Sequence, residues 1–206
     1  NDMVGRKLLV TGSGRCNITN QGVSAGRYTC SNPAGLARLL LSYGEHDLLA
    51  FLEEIGVPTF STSDGWFYPV SESAAAVTDA FAAALAEASV VLHLGNKVGV
   101  ILKIRNYFEL KGQHSGEHIR FDACVVASGG KAYPTLGSSG ELFSQVRAFG
   151  HTINPLYPAL APVLADVKAY LPLLGVRMDA AVRLYLGNQL QAETLGNLIF
   201  TQWGLN

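Results

Sequence analysis

The spacing of apolar residues changes period along this chain, and that change limits what it can fold into. Up to Ala88 the dominant pattern is helical. From Lys97 onward, short β-prone runs separated by polar turns take over, with one return to helical spacing through Leu142, Val146 and Phe149. A pure helical bundle and a pure β-sandwich both fail this pattern, so the expected class is α/β in the mixed α+β sense.

The local signals are specific. Asn32-Pro33 reads as an N-cap followed by proline at the first helical position. Leu36, Leu39, Leu40 and Tyr43 then share one helical face, and Gly44 ends the helix. A second helix begins near Glu45, carries Leu48, Phe51, Leu52 and Ile55 on its buried face, and stops at Gly56; the two form an antiparallel pair. Residues Val57 to Val70 are aromatic and β-prone around Asp64-Gly65, a strong hairpin signal. Ser71 or Ser73 caps a third helix through Val77, Phe81 and Leu85, and Val90 to Leu94 reads as a strand. Val98 to Ile104, Tyr107 to Leu110 and His118 to Phe121 form an expected antiparallel meander. Asp122 to Ala127 reads as a strand buried on both faces that ends in Ser128-Gly129-Gly130. Beyond Tyr157-Pro158, the runs Val163 to Asp166, Val176 to Leu186, Gln189 to Thr194 and Leu198 to Thr201 are expected strands. The domain division expected is therefore 1–158 and a β-rich 159–206.

Bulk properties exclude several classes. With 206 residues, 49% hydrophobic and 15% charged, the chain is an ordinary globular one. A net charge of −1 gives no electrostatic drive toward nucleic acid or an anionic membrane. No stretch reads as a signal peptide or a spanning helix. The three cysteines, Cys16, Cys30 and Cys124, contain no CxxC pair, which argues against a zinc site and fits a reducing, cytoplasmic setting. His46 and His114 read as surface positions, His93 as structural and His151 as a helix-end residue; no metal-ligand spacing is present.

Two segments could carry chemistry. Gly5-Arg6-Lys7 and Gly12-Ser13-Gly14-Arg15-Cys16-Asn17-Ile18-Thr19-Asn20 combine close-approach glycines, three basic residues and short polar groups. That suits a phosphate-bearing or extended polar ligand, and equally a solvated surface turn. It is neither a dinucleotide GxGxxG turn nor a P-loop nor a nucleophile elbow. The second segment, Ser128-Gly129-Gly130, follows an apolar run where open α/β sheets place ligands, or is a plain turn. Arg15 beside Cys16 favours a thiolate, although a packing role is the commoner use of a lone cysteine. Trp66, Phe67 and Tyr68 serve a hairpin core or a stacking platform.

In order, GRKLLVTGSGRCNITN, GWFYPVSESAAAV, VVASGGKAYPTLGSSG, GHTINPLYPALAPV and NLIFTQWGLN resemble the HI0933-like and BaiN-like bacterial flavoproteins over nearly the whole chain. The resemblance implies an incomplete FAD-binding Rossmann-like domain plus the start of an inserted β-rich domain. It also implies an FAD-dependent oxidoreductase acting on a small molecule, with NAD(P)H a candidate electron donor. Carried over by position, Gly5, Arg6, Lys7, Ser13, Gly14, Arg15, Cys16 and Asn17 would line the flavin and its pyrophosphate. Val98 would offer its backbone to the adenine, Ser128, Gly129 and Gly130 would approach FAD from the sheet, and Thr201, Gly204 and Leu205 would begin a loop returning to the flavin ring. Arg15 and Lys7 would supply charge near phosphate or reduced flavin; no general base stands out. The rival reading is a non-catalytic binding module for a nucleotide or phosphorylated metabolite.

Several departures temper the match. The family's GGGRCN is here Gly12 to Asn17 with Ser13 inside it, and Glu141-Leu142-Phe143 replaces an acidic-glycine-aromatic step. The chain opens on a polar loop and closes on a strand entering a turn, which reads as a piece of a longer protein without the family's GxGxxG strand-turn-helix. Losing roughly 4 kcal/mol of pyrophosphate contacts would weaken FAD about a thousandfold. These 206 residues alone are therefore expected to hold FAD weakly or not at all.

Overall fold

The computed structural model describes residues 2–113, 116, 118–157 and 162–206. His114 and the expected boundary at 158/159 lie outside them. The chain divides into two units, Asn1–Thr152 and Ile153–Asn206.

In the first unit, α1 (Pro33–Ser42) starts where Asn32 accepts a hydrogen bond from the Gly35 N–H at 2.9 Å. After Tyr43-Gly44, α2 (Glu45–Glu54) begins with the Asp47 carboxylate accepting from the Gly44 N–H at 2.7 Å. An acidic group in the first turn also complements the helix dipole. α3 (Ala74–Glu87) is capped by Ser73, which accepts from the Ala76 N–H. Ser71 instead accepts from the Ser73 N–H.

The first sheet has the order β1-β3-β2, formed by β1 (Thr19–Asn20), β2 (Thr59–Ser61) and β3 (Trp66–Pro69). The expected hairpin at Asp64-Gly65 is present: the Gly65 N–H donates to the Thr62 carbonyl, and the Thr62 N–H to that of Trp66. The pairing of Thr19-Asn20 with Phe67-Trp66 was not expected, because a two-residue strand carries no periodicity. Cys16, Leu52, Val57, Ala74 and Val77 form the core against which Leu8, Leu9, Ile18, Leu48, Ile55, Ala80 and Phe81 pack.

The expected meander is β4 (Val98–Ile104), β5 (Tyr107–Gly112) and β6 (His118–Phe121), all antiparallel. α4 (Phe143–Ala148) supports it through one side chain. The Gln145 amide accepts from the Ile101 N–H at 3.4 Å and donates to the Gly99 carbonyl at 3.5 Å, both on the free edge of β4.

Three expectations fail here. Val90 to Leu94 forms no strand, and Val91 is 77% exposed. Asp122 to Ala127 also forms no strand, and Val125 is 89% exposed. Both runs have the composition of a strand but no neighbouring strand among the described residues, and a ladder needs a partner. The expected apolar faces are incompletely buried: on α1 Leu39 and the C-cap Tyr43 face solvent, and on α2 Phe51 is exposed while only Leu52 is fully buried.

In the second unit, β7 (Val163–Leu164), β8 (Arg177–Leu186), β9 (Gln189–Thr201) and β10 (Gly204–Leu205) make one sheet in the order β7-β10-β9-β8. The two strands expected across 189–201 are one, because Gly196 lies in register opposite Ala180 and does not break the ladder. Among the described residues every strand pair in both units is antiparallel.

Candidate functional site

The basic loop owes its shape to backbone conformations that few side chains tolerate. A 3-10 segment, Leu8–Gly14, is broken at Thr11, which is extended, and then Gly12 and Ser13 both turn left-handed, with φ of 54° and 58°. The Arg15 N–H closes the turn onto the Gly12 carbonyl at 3.2 Å, and the Cys16 N–H onto that of Thr11 at 3.1 Å. The next link is to the hairpin, where the Ile18 N–H donates to the Phe67 carbonyl. Cys16, with φ of 62°, points into the core.

The glycines of this loop have different reasons to be glycine. A Cβ on Gly5 would meet Cγ2 of Thr78 on α3 at 2.5 Å, and one on Gly12 would meet the Asn17 nitrogen at 2.7 Å. Those two positions are dictated by packing inside the protein. Gly14 has nothing nearer than the Leu9 carbonyl at 3.9 Å, and Gly130 has nothing within 4 Å. Their open sides are where a ligand could approach the backbone.

Arg15 has two neighbours that the sequence reading did not connect with it. Its guanidinium lies 4.4 Å from the centroid of the Tyr68 ring, and Nη2 donates to the Tyr68 hydroxyl at 3.4 Å. Its Nη1 is 3.6 Å from Oε1 of Glu72. Tyr68 is buried on β3 and therefore a fixed platform, whereas Arg15 and Glu72 are half-exposed. The sequence marks Tyr68 only as one of three hairpin aromatics, and nothing in it links Tyr68 to Arg15, 53 positions away. Arg6 pairs loosely with Asp2 at 3.8 Å, and Lys7 is exposed without an ion pair among the described residues.

Of the two readings of Cys16, burial favours the commoner one, packing. Burial pushes its thiol pKa up, and a hydrogen bond with Thr11 offsets this only in part, so the neighbouring Arg15 does not make it a thiolate centre. Its side chain is a packing group.

The structure brings Val98 and Ser128 together. They line one cavity of about 330 Å³ with Lys97, Gly137, Gly140, Glu141 and Leu142. A neighbouring space of about 650 Å³ shares Lys97, Val98, Glu141 and Leu142 and extends along β4 and β5 to Gln113. The Lys97 ammonium and Glu141 carboxylate pair at 2.5 Å between the two. Hydrogen bonds from Lys97, then Ser139, hold the Glu141 carboxyl below its usual range. Sequence reading missed Lys97 and Glu141, whose charges look like ordinary surface residues until the fold pairs them.

Among the described residues no hydrogen bond or ion pair joins the Gly5–Asn17 loop to Ser128, Gly129 or Gly130. Thr201, Gly204 and Leu205 belong to the second unit, where they are tied to one another: Thr201 Oγ1 donates to the Gly204 carbonyl at 2.9 Å, and Leu205 pairs with Phe200 and Val163. A Cβ on Gly204 would collide with the Val163 carbonyl, so close strand approach alone accounts for that glycine. No group of His, Cys, Asp and Glu residues fit to hold a metal occurs among the described residues, and none of their helices is long and apolar enough to cross a membrane.

Residues 1–203 match the HI0933-like protein Rossmann domain. The chain belongs to that family. It is 32% identical over 203 residues to a 3-dehydro-bile acid delta(4,6)-reductase of Clostridium scindens, covering 98% of this chain and 49% of the relative. It is 27% identical over 202 residues to a ribosomal RNA dihydrouridine synthase of Escherichia coli, covering 98% and 50%. The Haemophilus influenzae ribosomal RNA dihydrouridine synthase is 23% identical over 207 residues, with the same coverage. The chain thus spans about half the length of the curated relatives it matches.

Proposed function

We propose that this chain is part of an FAD-dependent reductase that saturates a carbon–carbon double bond conjugated to a carbonyl in a small molecule, with NAD(P)H as electron donor. The observation that carries the reading is chemical. One relative is named for reduction of a delta(4,6) unsaturated 3-dehydro compound, and the others for making dihydrouridine, in which the uracil ring has gained two hydrogens. Two dissimilar substrates share a single change, the addition of a hydride and a proton across an activated double bond.

The residues present fit such a cofactor in kind. Gly14 and Gly130 leave the backbone open where a Cβ would otherwise fill the approach, and Arg15 presents a delocalised cation on a rigid aromatic face. On this reading Gly5, Arg6, Lys7 and Ser13 to Asn17 line the flavin and its diphosphate. Val98 offers its backbone to the adenine, and Ser128, Gly129 and Gly130 approach FAD. FAD, when bound, supplies the two-electron chemistry, transferring reducing equivalents from NAD(P)H to the double bond. The chain's own part is to bind and orient: Arg15 and Lys7 balance negative charge, and the glycine turns let backbone N–H groups approach it.

A small-molecule substrate is favoured over RNA because the chain's net charge of −1 provides no counterion-release drive for a polyanion. The test is to purify the protein as its full gene encodes it and supply NADH or NADPH anaerobically with a conjugated enone. Loss of enone absorbance with stoichiometric NAD(P)H oxidation is expected. A colourless protein that binds ADP without oxidising NAD(P)H would favour the binding-module reading. Turnover of ribosomal RNA but no enone would overturn the substrate assignment.

A further inference from the structure

Glu72 stands out because it is held in a costly conformation beside Arg15. Its φ is +47°, in the left-handed region that non-glycine residues avoid, at the end of a turn in which its N–H donates to the Pro69 carbonyl at 2.8 Å. Of the five non-glycine residues with positive φ among the described residues, three, Ser13, Cys16 and Glu72, surround Arg15. Cys16 turns left-handed as it enters the core, whereas Ser13 and Glu72 flank Arg15 on the solvent side, where strain of this kind motivates a functional hypothesis.

The contact Glu72 makes is weak. Its carboxylate is 3.6 Å from Arg15 Nη1, too long for a good hydrogen bond, with both side chains about half-exposed. The aromatic face of Tyr68, in contrast, holds the guanidinium from a buried position. Among the described residues the only hydrogen bond made by that guanidinium is the one to the Tyr68 hydroxyl, so most of its five N–H donors are available to an anion.

We infer that Glu72 is a built-in competing carboxylate: it occupies the anion-facing side of Arg15 while no ligand is bound, and an incoming phosphate must displace it. Tyr68 keeps the guanidinium in place during the exchange. Arg15 then accepts ligands whose charge and bidentate geometry surpass a single loosely placed carboxylate, which selects for phosphate over carboxylate anions. The inference rests on the reading of Arg15 as an anion-binding residue.

The test is a titration of the full 206-residue chain with inorganic pyrophosphate, followed by NMR shifts of the Gly12, Gly14 and Arg15 amides, which reads affinities into the millimolar range. Glu72→Gln keeps the shape and removes the competing charge. Pyrophosphate is expected to bind it more tightly, by up to about fivefold, the scale set by an exposed ion pair. That gain should shrink as salt is added, because screening weakens the competing contact. A purely structural Glu72 would give unchanged or weaker binding, and that result overturns this inference alone. If the wild-type amides do not shift at all, the anion-binding reading of Arg15 falls and this inference with it.

Discussion

Gln145 on α4 pairs its side-chain amide with the backbone on either side of Val100: the Ile101 N–H donates to its Oε1 at 3.4 Å, while its Nε2 donates to the Gly99 carbonyl at 3.5 Å. A side chain thus takes the place of a neighbouring strand along the free edge of the meander. It also holds α4 beside Val98 and the cavity that Val98 shares with Ser128. Gln145→Ala should cost about 1 kcal/mol, the usual net worth of such bonds, read from the midpoint of urea unfolding. Faster amide exchange at Ile101 should accompany it.

The two kinds of glycine separate folding from binding. Gly12→Ala forces alanine into a left-handed conformation against the Asn17 backbone. It should cost about 1–2 kcal/mol, more if the loop cannot shift. Gly130→Ala enters open space, so its thermal midpoint should stay at the wild-type value. In the FAD-loaded full-length protein the same Gly130→Ala change should weaken FAD. A stable Gly130 variant with unaltered FAD affinity would remove that glycine from the site.

Glu109 gives the first unit an acid sensitivity of known sign. It is nearly buried between β4 and β6 and accepts from His118 Nδ1 at 2.9 Å, with Arg120 Nε at 3.5 Å from its other oxygen. The His118 hydrogen bond, then the charges of His118, Arg120 and Lys111, lower its pKa. A carboxyl with a lowered folded pKa adds stability above its unfolded pKa and loses it as pH falls through the folded value. Acid unfolding of the meander should therefore steepen below the usual carboxylate range. Glu109→Gln should flatten that limb while lowering stability at neutral pH.

Residues 90–94 and 122–127 show where sequence legibility ended. Helix caps at Asn32 and Ser73 and the turn at Asp64-Gly65 were readable because each acts on its immediate neighbours. Val90 to Leu94 and Asp122 to Ala127 have strand composition, but a strand exists only with a partner, which composition does not reveal. Their amides should exchange with solvent much faster than those of Leu102 and Ile104, which face β5 in the paired meander. The Val90 N–H, bonded to the Leu85 carbonyl, is the expected exception.

The candidate site was legible to a similar degree. Arg15 stood out as one of three basic residues in a glycine-rich run, but its platform Tyr68 and competitor Glu72 did not, since only the fold of the hairpin and its following turn brings them near. For Cys16 the commoner packing role was the favoured reading, although its burial itself was not visible in the sequence.

The central proposal is that this chain is part of an FAD-dependent reductase. Its most direct test is the visible spectrum of the protein as its full gene encodes it, recorded anaerobically before and after NAD(P)H and then after a conjugated enone. The account requires a bound oxidised-flavin band that bleaches with NAD(P)H and returns when the enone is added. A protein with no flavin band, even after incubation with excess FAD, would contradict it.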